Sequence, residues 1–167
     1  MQFKNQVHLT DDQAKAFFDM PEDGPFVMVN LLKFKPKAEY ADGSDADISG
    51  FDAYRRYGRK VRHLMLKVGG TPGYSGPVTG LRLGEVEELW DMIALAEYPS
   101  LAAMKEMVES PDYREIAKHR DAGLAGQLNI KTKGTLGSIA VGTPIAGRPP
   151  HRSVLAEFPH TAPTSGV

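Results

Sequence analysis

Residues 90–120, WDMIALAEYPSLAAMKEMVESPDYREIAKHR, hold three elements with almost no linker between them. Met92, Ala94, Ala96 and Tyr98 recur at every second position, the period of a half-buried strand, and Pro99 ends the run. Ser100 then stands as a helix cap before Leu101, Met104 and Val108, which share one helical face. Ser110-Pro111-Asp112 opens a second helix, with proline in the first turn, where its missing N–H has no intrahelical partner to lose. A chain that leaves a strand for two helices in succession has to lay them back over the sheet, which points to a layered α+β fold.

The flanking sequence completes that fold. Thr10 and Gln13 have capping-box spacing, and Ala14, Phe17 and Phe18 continue an apolar stripe to Pro21, so a short N-terminal helix is expected. After a turn at Glu22-Asp23-Gly24-Pro25, the dense apolar run at residues 26–34 reads as the first core strand. Residues 35–50 are polar and read as an exposed loop placed to cover a pocket. Ser49 caps a helix whose buried stripe is Phe51, Tyr54, Gly58, Val61, Met65 and Val68, and Gly69-Gly70 ends it. Residues 71–83 read as an irregular, glycine-bent strand, paired through a turn near Gly84 with a strand at 89–98. Gly123 and Gly126 close the last helix before a short final strand at 127–132. The order is βαββαβ, a ferredoxin-like half-barrel. Four strands leave one sheet face uncovered, and a second copy is the physical remedy, so a homodimer is expected.

The order of the 90–120 stretch, WD, alternating apolar residues, a Tyr-Pro-Ser break, an amphipathic helix, Ser-Pro-Asp-Tyr, then Ile-Ala and Arg, resembles the domain of unknown function 1330 family, a branch of the dimeric α+β barrel superfamily. Gly69-Gly70 is a further match, and the resemblance runs over residues 26–132. It implies a dimeric α+β barrel at residues 25–133, with an N-terminal helical extension at 1–24. A Gly/Pro-rich tail at 134–167 would be mobile or strap the dimer, with LGSIAV and SVLAEF as its two apolar runs. The stretch is also distantly similar to antibiotic-biosynthesis monooxygenases and haem-degrading enzymes. There a first-strand Asn and an aromatic at the end of the third strand line a pocket, places matched here by Asn30 and Tyr98. The haem-ligating histidine of those relatives falls near Ala117, which cannot hold iron.

Composition narrows the function classes. A net charge of −1 provides no field to gather phosphates, so neither nucleic acid nor an anionic membrane is expected as a partner. Cysteine is absent, which excludes disulfides and thiolate chemistry. No apolar run approaches the roughly 20 residues of a membrane span, and MQFKNQVHLTDDQ has no signal-like apolar segment, so a cytoplasmic location is expected. Five scattered histidines lack ligand spacing, and Asp42, Asp45 and Asp47 lack the distal Glu of a calcium loop. The glycines at 69–80 form no phosphate-binding motif, and no Gly-x-Ser-x-Gly occurs. No metal and no cofactor are expected.

Five residues remain as ligand-binding candidates. Asn30 shares strand parity with Phe26, Met28, Leu32 and Phe34, where an unbonded amide would cost about 1–3 kcal/mol, so a neighbour or a ligand must satisfy it. Tyr98 is a pocket wall or a core aromatic with its hydroxyl at the surface. Tyr54 and Tyr57 flank Gly58, whose missing side chain serves either a ligand gap or close helix–sheet packing. Arg120 shares a face with Tyr113, Ile116, Ala117 and Leu124, which turns it inward. There it either pairs with Glu97 or Asp91, complements the helix dipole as a helix-end charge, or binds an anion or carbonyl. His119 lies off that face and reads as solvated, and His63 as a surface or dimer-edge residue. Together these describe a small-molecule-binding homodimer, with catalysis open. The enzyme reading is a cofactor-independent oxygenase, cyclase or isomerase acting on a small phenolic or carbonyl compound; the alternative is a non-catalytic binding or stress-related dimer.

Overall fold

The computed structural model describes residues 4–22 and 24–137. The elements run α1 (Asp11–Phe18), β1 (Phe26–Phe34), α2 (Gly50–Lys67), β2 (Thr71–Pro77), β3 (Met92–Tyr98), α3 (Leu101–Glu109), α4 (Pro111–Gly123) and β4 (Leu124–Lys133). The strands form one antiparallel sheet in the order β2-β3-β1-β4, the ferredoxin-like arrangement. Each helix starts where a side chain accepts an orphan N–H. Thr10 and Gln13 make both bonds of a capping box, and Ser49, Ser100 and Ser110 cap α2, α3 and α4. Gly69 ends α2 at φ +76°, a conformation that favours glycine. Among the described residues no helix is long and apolar enough to cross a membrane.

Strand parity divides the sheet into two unlike faces. Phe26, Met28 and Tyr98 point toward the helices and pack with Leu64 and Met65 of α2, Met107 of α3 and Ile116 of α4. Among the described residues no helix packs over the opposite face. In register, Val29 lies between Leu95 and Ile130, and Leu31 between Ile93 and Leu128. These six aliphatic side chains are all partly or fully exposed, Ile130 at 47%.

Several expectations need correction. β2 ends at Pro77 rather than at 83, and β3 begins at Met92 rather than at 89. Residues 78–91 between them form a long loop that exposes Leu81 and Leu83, with Gly84 at φ +93°. The bends in β2 do occur, because its register with β3 shifts between Pro72 and Ser75. β4 begins at Leu124, not at 127, because Leu124 already has extended dihedrals (φ −89°, ψ 130°). Leu124 therefore belongs to the strand and not to the helical stripe of Arg120. The loop at 35–49 lines neither of the two cavities described below. Its backbone bonds to the end of α4, from Lys35 to Gly123 at 2.9 Å and from Glu39 to Ala122 at 3.0 Å, and Ala38 packs on Ala53 and Ala122. Of the tail, Gly134–Gly137 turns back toward β3 and β2, where the Leu136 N–H donates to Glu97 at 2.7 Å. SVLAEF and most of LGSIAV lie outside the described residues.

Candidate functional site

Between the helix side of the sheet and helices α2, α3 and α4 lies a cavity of about 420 Å³, and all five candidates line it. Asn30 and Tyr98 reach it from the sheet because of their parity. Tyr54 and Tyr57 come from successive turns of α2, and Arg120 from the inward face of α4. Met104, Met107 and Val108 of α3 make an apolar wall.

Hydrogen bonding sorts these side chains by what they have left to offer. The Asn30 amide is engaged by the protein: its Nδ2 donates to the Ala94 carbonyl at 2.9 Å and the Met28 carbonyl at 3.3 Å, and its Oδ1 accepts from Asn129. Tyr57 donates to the Tyr113 hydroxyl at 3.4 Å. The Tyr54 and Tyr98 hydroxyls have no hydrogen-bond partner among the described residues, although Tyr98 is only 5% exposed and stacks on Phe26. No wholly occluded side-chain polar atom lacks a partner among those residues, so both hydroxyls open into free space.

Arg120 is turned inward, with its side chain 15% exposed, and neither expected carboxylate meets it. Asp91 instead accepts the Phe34 N–H at 2.7 Å and pairs with Lys33, while Glu97 holds Leu136. The guanidinium donates to its neighbour Asp121 at 2.9 Å and to the Val7 carbonyl at 2.5 Å. The second bond ties residues 4–9 across the mouth of the cavity, where Gln6 also pairs with Gln127. Sequence reading missed Val7, Gln127, Asn129 and Tyr113 as parts of this site. A backbone carbonyl has no residue signature, and Tyr113 was legible from its shared face with Arg120.

Electrostatics gives the cavity one sign. Burial pushes the Tyr54 phenol up to about 12, partly opposed by the Arg120 charge. Burial likewise raises Tyr57 and Tyr98, because a phenolate there would be desolvated. These phenols therefore keep their protons at neutral pH and act as donors. The lining includes Lys4, His8 and Arg120 but, among the described residues, no Asp or Glu. The arrangement can present hydrogen-bond donors and a cation to an electron-rich group, and among the described residues it holds no carboxylate to abstract a proton. Among the described residues no group of three or more His, Asp or Glu side chains could hold a metal ion.

His8 lines the cavity with the rest of the N-terminal segment, while His63 and His119 lie elsewhere. His119 is half-buried rather than solvated, with its Nδ1 2.7 Å from the Tyr40 hydroxyl, and burial lowers its pKa, assisted by Lys60 and Lys118. His63 is exposed. Gly58 answers the question of the gap, since a Cβ built on it would meet nothing within 4 Å. The missing side chain leaves open space and is not a packing requirement. Gly58→Ala is accordingly expected to stabilise the protein by up to about 1 kcal/mol through helix propensity, read from urea denaturation midpoints.

Comparison with known proteins agrees with this fold. A protein of unknown function from Rhodopseudomonas palustris is 33% identical over 79% of this chain and 98% of its own, with a TM-score of 0.70. Its methylated form gives 33% identity over 81% and 100%, with a TM-score of 0.71. A dimeric protein of unknown function with a ferredoxin-like fold from Bacteroides fragilis is 11% identical over 66% of this chain and 96% of its own, with a TM-score of 0.44. No curated protein matches the sequence. The family model described as domain of unknown function (DUF1330) matches residues 44–132, from the loop before α2 into β4, and with the Rhodopseudomonas likeness it shows that the chain belongs to that family.

Proposed function

We propose that the protein is a homodimer that holds one small phenolic or carbonyl compound per subunit in the cavity between sheet and helices. The observation that carries this reading is the pair of enclosed hydroxyls, Tyr54 and Tyr98, left without partners beside the Arg120 guanidinium. Both hydroxyls open into the cavity, and a ligand oxygen placed between these donors gains hydrogen bonds worth about 0.5–1.5 kcal/mol each. The absence of any Asp or Glu among the described lining residues, the protonated phenols and the engaged Asn30 amide favour binding over proton-abstracting catalysis. The uncovered aliphatic sheet face supports the dimer.

Thermal shift and calorimetry with 4-hydroxybenzaldehyde and benzoate, and with toluene as an apolar control, test the reading. Ligand at 100 times its Kd adds about 2.7 kcal/mol of stability by mass action. Arg120→Lys keeps the charge but loses the planar fork, and Tyr98→Phe removes one free donor. Each is expected to weaken binding about tenfold while shifting stability by less than about 1 kcal/mol. Toluene binding as well as the polar probes, or both variants binding like the parent, would remove the basis for this reading.

A further inference from the structure

Across Tyr54 and Tyr57 from the cavity, α2 stands off the β2–β3 hairpin and leaves an open groove of about 700 Å³. Its floor is apolar, formed by Met92, Ala94 and Ala96 of β3 with Pro72 of β2. Its opposite side is α2, where Gly58 provides the room. Along this side stand Arg55, Arg59 and Arg62, together with His63, and among the described residues no Asp or Glu lines the groove.

That charge distribution is local and not compositional. α2 carries six Lys and Arg residues against one Asp, within a chain whose net charge is −1. Some of the cations are spoken for, since Arg55 pairs with Asp52 at 3.2 Å and Arg56 with Asp45 at 2.5 Å. The guanidinium groups of Arg59 and Arg62 meet no carboxylate among the described residues. Cations one helical turn apart repel one another, so leaving them unneutralised costs stability unless an anion arrives. A nucleic-acid backbone or a flat anionic membrane would use the arginines but gain nothing from a concave apolar floor. A molecule with both an anionic end and an apolar body uses both features.

We propose that the groove between α2 and the β2–β3 hairpin binds an amphipathic carboxylate, with its apolar chain or ring on Met92, Ala94 and Ala96 and its carboxylate on Arg59 and Arg62. The groove shares Asn30, Tyr54, Tyr57, Ala96 and Tyr98 with the cavity of Arg120 as a common wall, but Arg59, Arg62 and Met92 belong to the groove alone and Arg120 to the cavity alone.

The test uses the full chain and decanoate below its micellar concentration, followed by calorimetry and by the methyl resonance of Met92. One decanoate per chain is expected, with 1-decanol at least about tenfold weaker, because a guanidinium bond to a charged group is the stronger kind. Arg59→Glu/Arg62→Glu should lose at least about tenfold in affinity. Gly58→Leu should block binding and the Met92 shift while the protein remains folded, since the added side chain enters open groove space. Arg120→Met should leave decanoate affinity unchanged. The proposal is overturned if decanol binds as well as decanoate, if the double Glu variant binds normally, or if Arg120→Met alone abolishes binding. It is also overturned if single-stranded DNA or anionic vesicles bind through Arg59 and Arg62 while decanoate does not.

Discussion

Alanine at Gly123 is expected to destabilise the protein by about 1–3 kcal/mol, and valine by more, because added atoms at a closely packed contact force the backbone apart. A Cβ on Gly123 would lie 2.4 Å from the Gly50 carbonyl oxygen and 2.9 Å from the Tyr54 nitrogen. Both are backbone atoms of α2, so no rotamer change can relieve the clash. Relief requires α2 to move away from α4, which would also disturb Tyr54 and the bond from the Lys35 N–H to the Gly123 carbonyl. Gly50 faces the same constraint from the other side, with its Cβ 2.5 Å from the Gly123 oxygen. Urea denaturation of Gly123→Ala beside Gly58→Ala measures the contrast within one fold. The first should lose stability and the second gain it. An unchanged midpoint for Gly123→Ala would mean that the two helices do not cross at this contact.

Leu31→Asp is expected to abolish the proposed homodimer. Leu31 is on the central strand of the helix-free face, flanked by Ile93 and Leu128, with Val29 one pleat away between Leu95 and Ile130. A carboxylate there would have to be buried without a partner when two sheets close on each other, a penalty of several kcal/mol. An interface of this kind should bury well above roughly 1,000 Å², so the parent should sediment as a dimer at micromolar concentration. The variant should sediment as a folded monomer, since its own helix-side core is untouched. A parent that sediments as a compact monomer, or a Leu31→Asp variant that remains dimeric, would show that this face is not the subunit contact.

What could be read in advance was governed by short-range chemistry. The caps at Thr10, Ser49, Ser100 and Ser110, the αL end of α2 at Gly69 and the inward parity of Asn30 and Tyr98 all depend on neighbours a few residues away. Helical phase was enough to turn Arg120 inward. Its partner was not legible, because the Val7 carbonyl is 113 residues distant and any residue could have supplied it. The switch at Leu124 was hidden for a related reason: Leu124 fits the stripe of α4 and the first position of β4 equally well. The close contact between Gly123 and Gly50, 73 residues apart in sequence, lies at the last residue of the helix. Gly58 and Gly123 look alike in sequence, yet one faces open space and the other a backbone, and only tertiary contacts separate them.

The bent, proline-bearing β2 also determines how far association can go. It is a terminal strand of the sheet, and an unpaired strand edge is a template on which further chains can polymerise. Pro72 and Pro77 have no N–H to donate, and the shift in register between Pro72 and Ser75 spoils a straight ladder. At the other terminal strand, Gln6 already occupies the backbone groups of Gln127. A sheet with both margins blunted in this way can stack face to face once and then stop, a geometry that closes as a finite pair and does not propagate as a fibre.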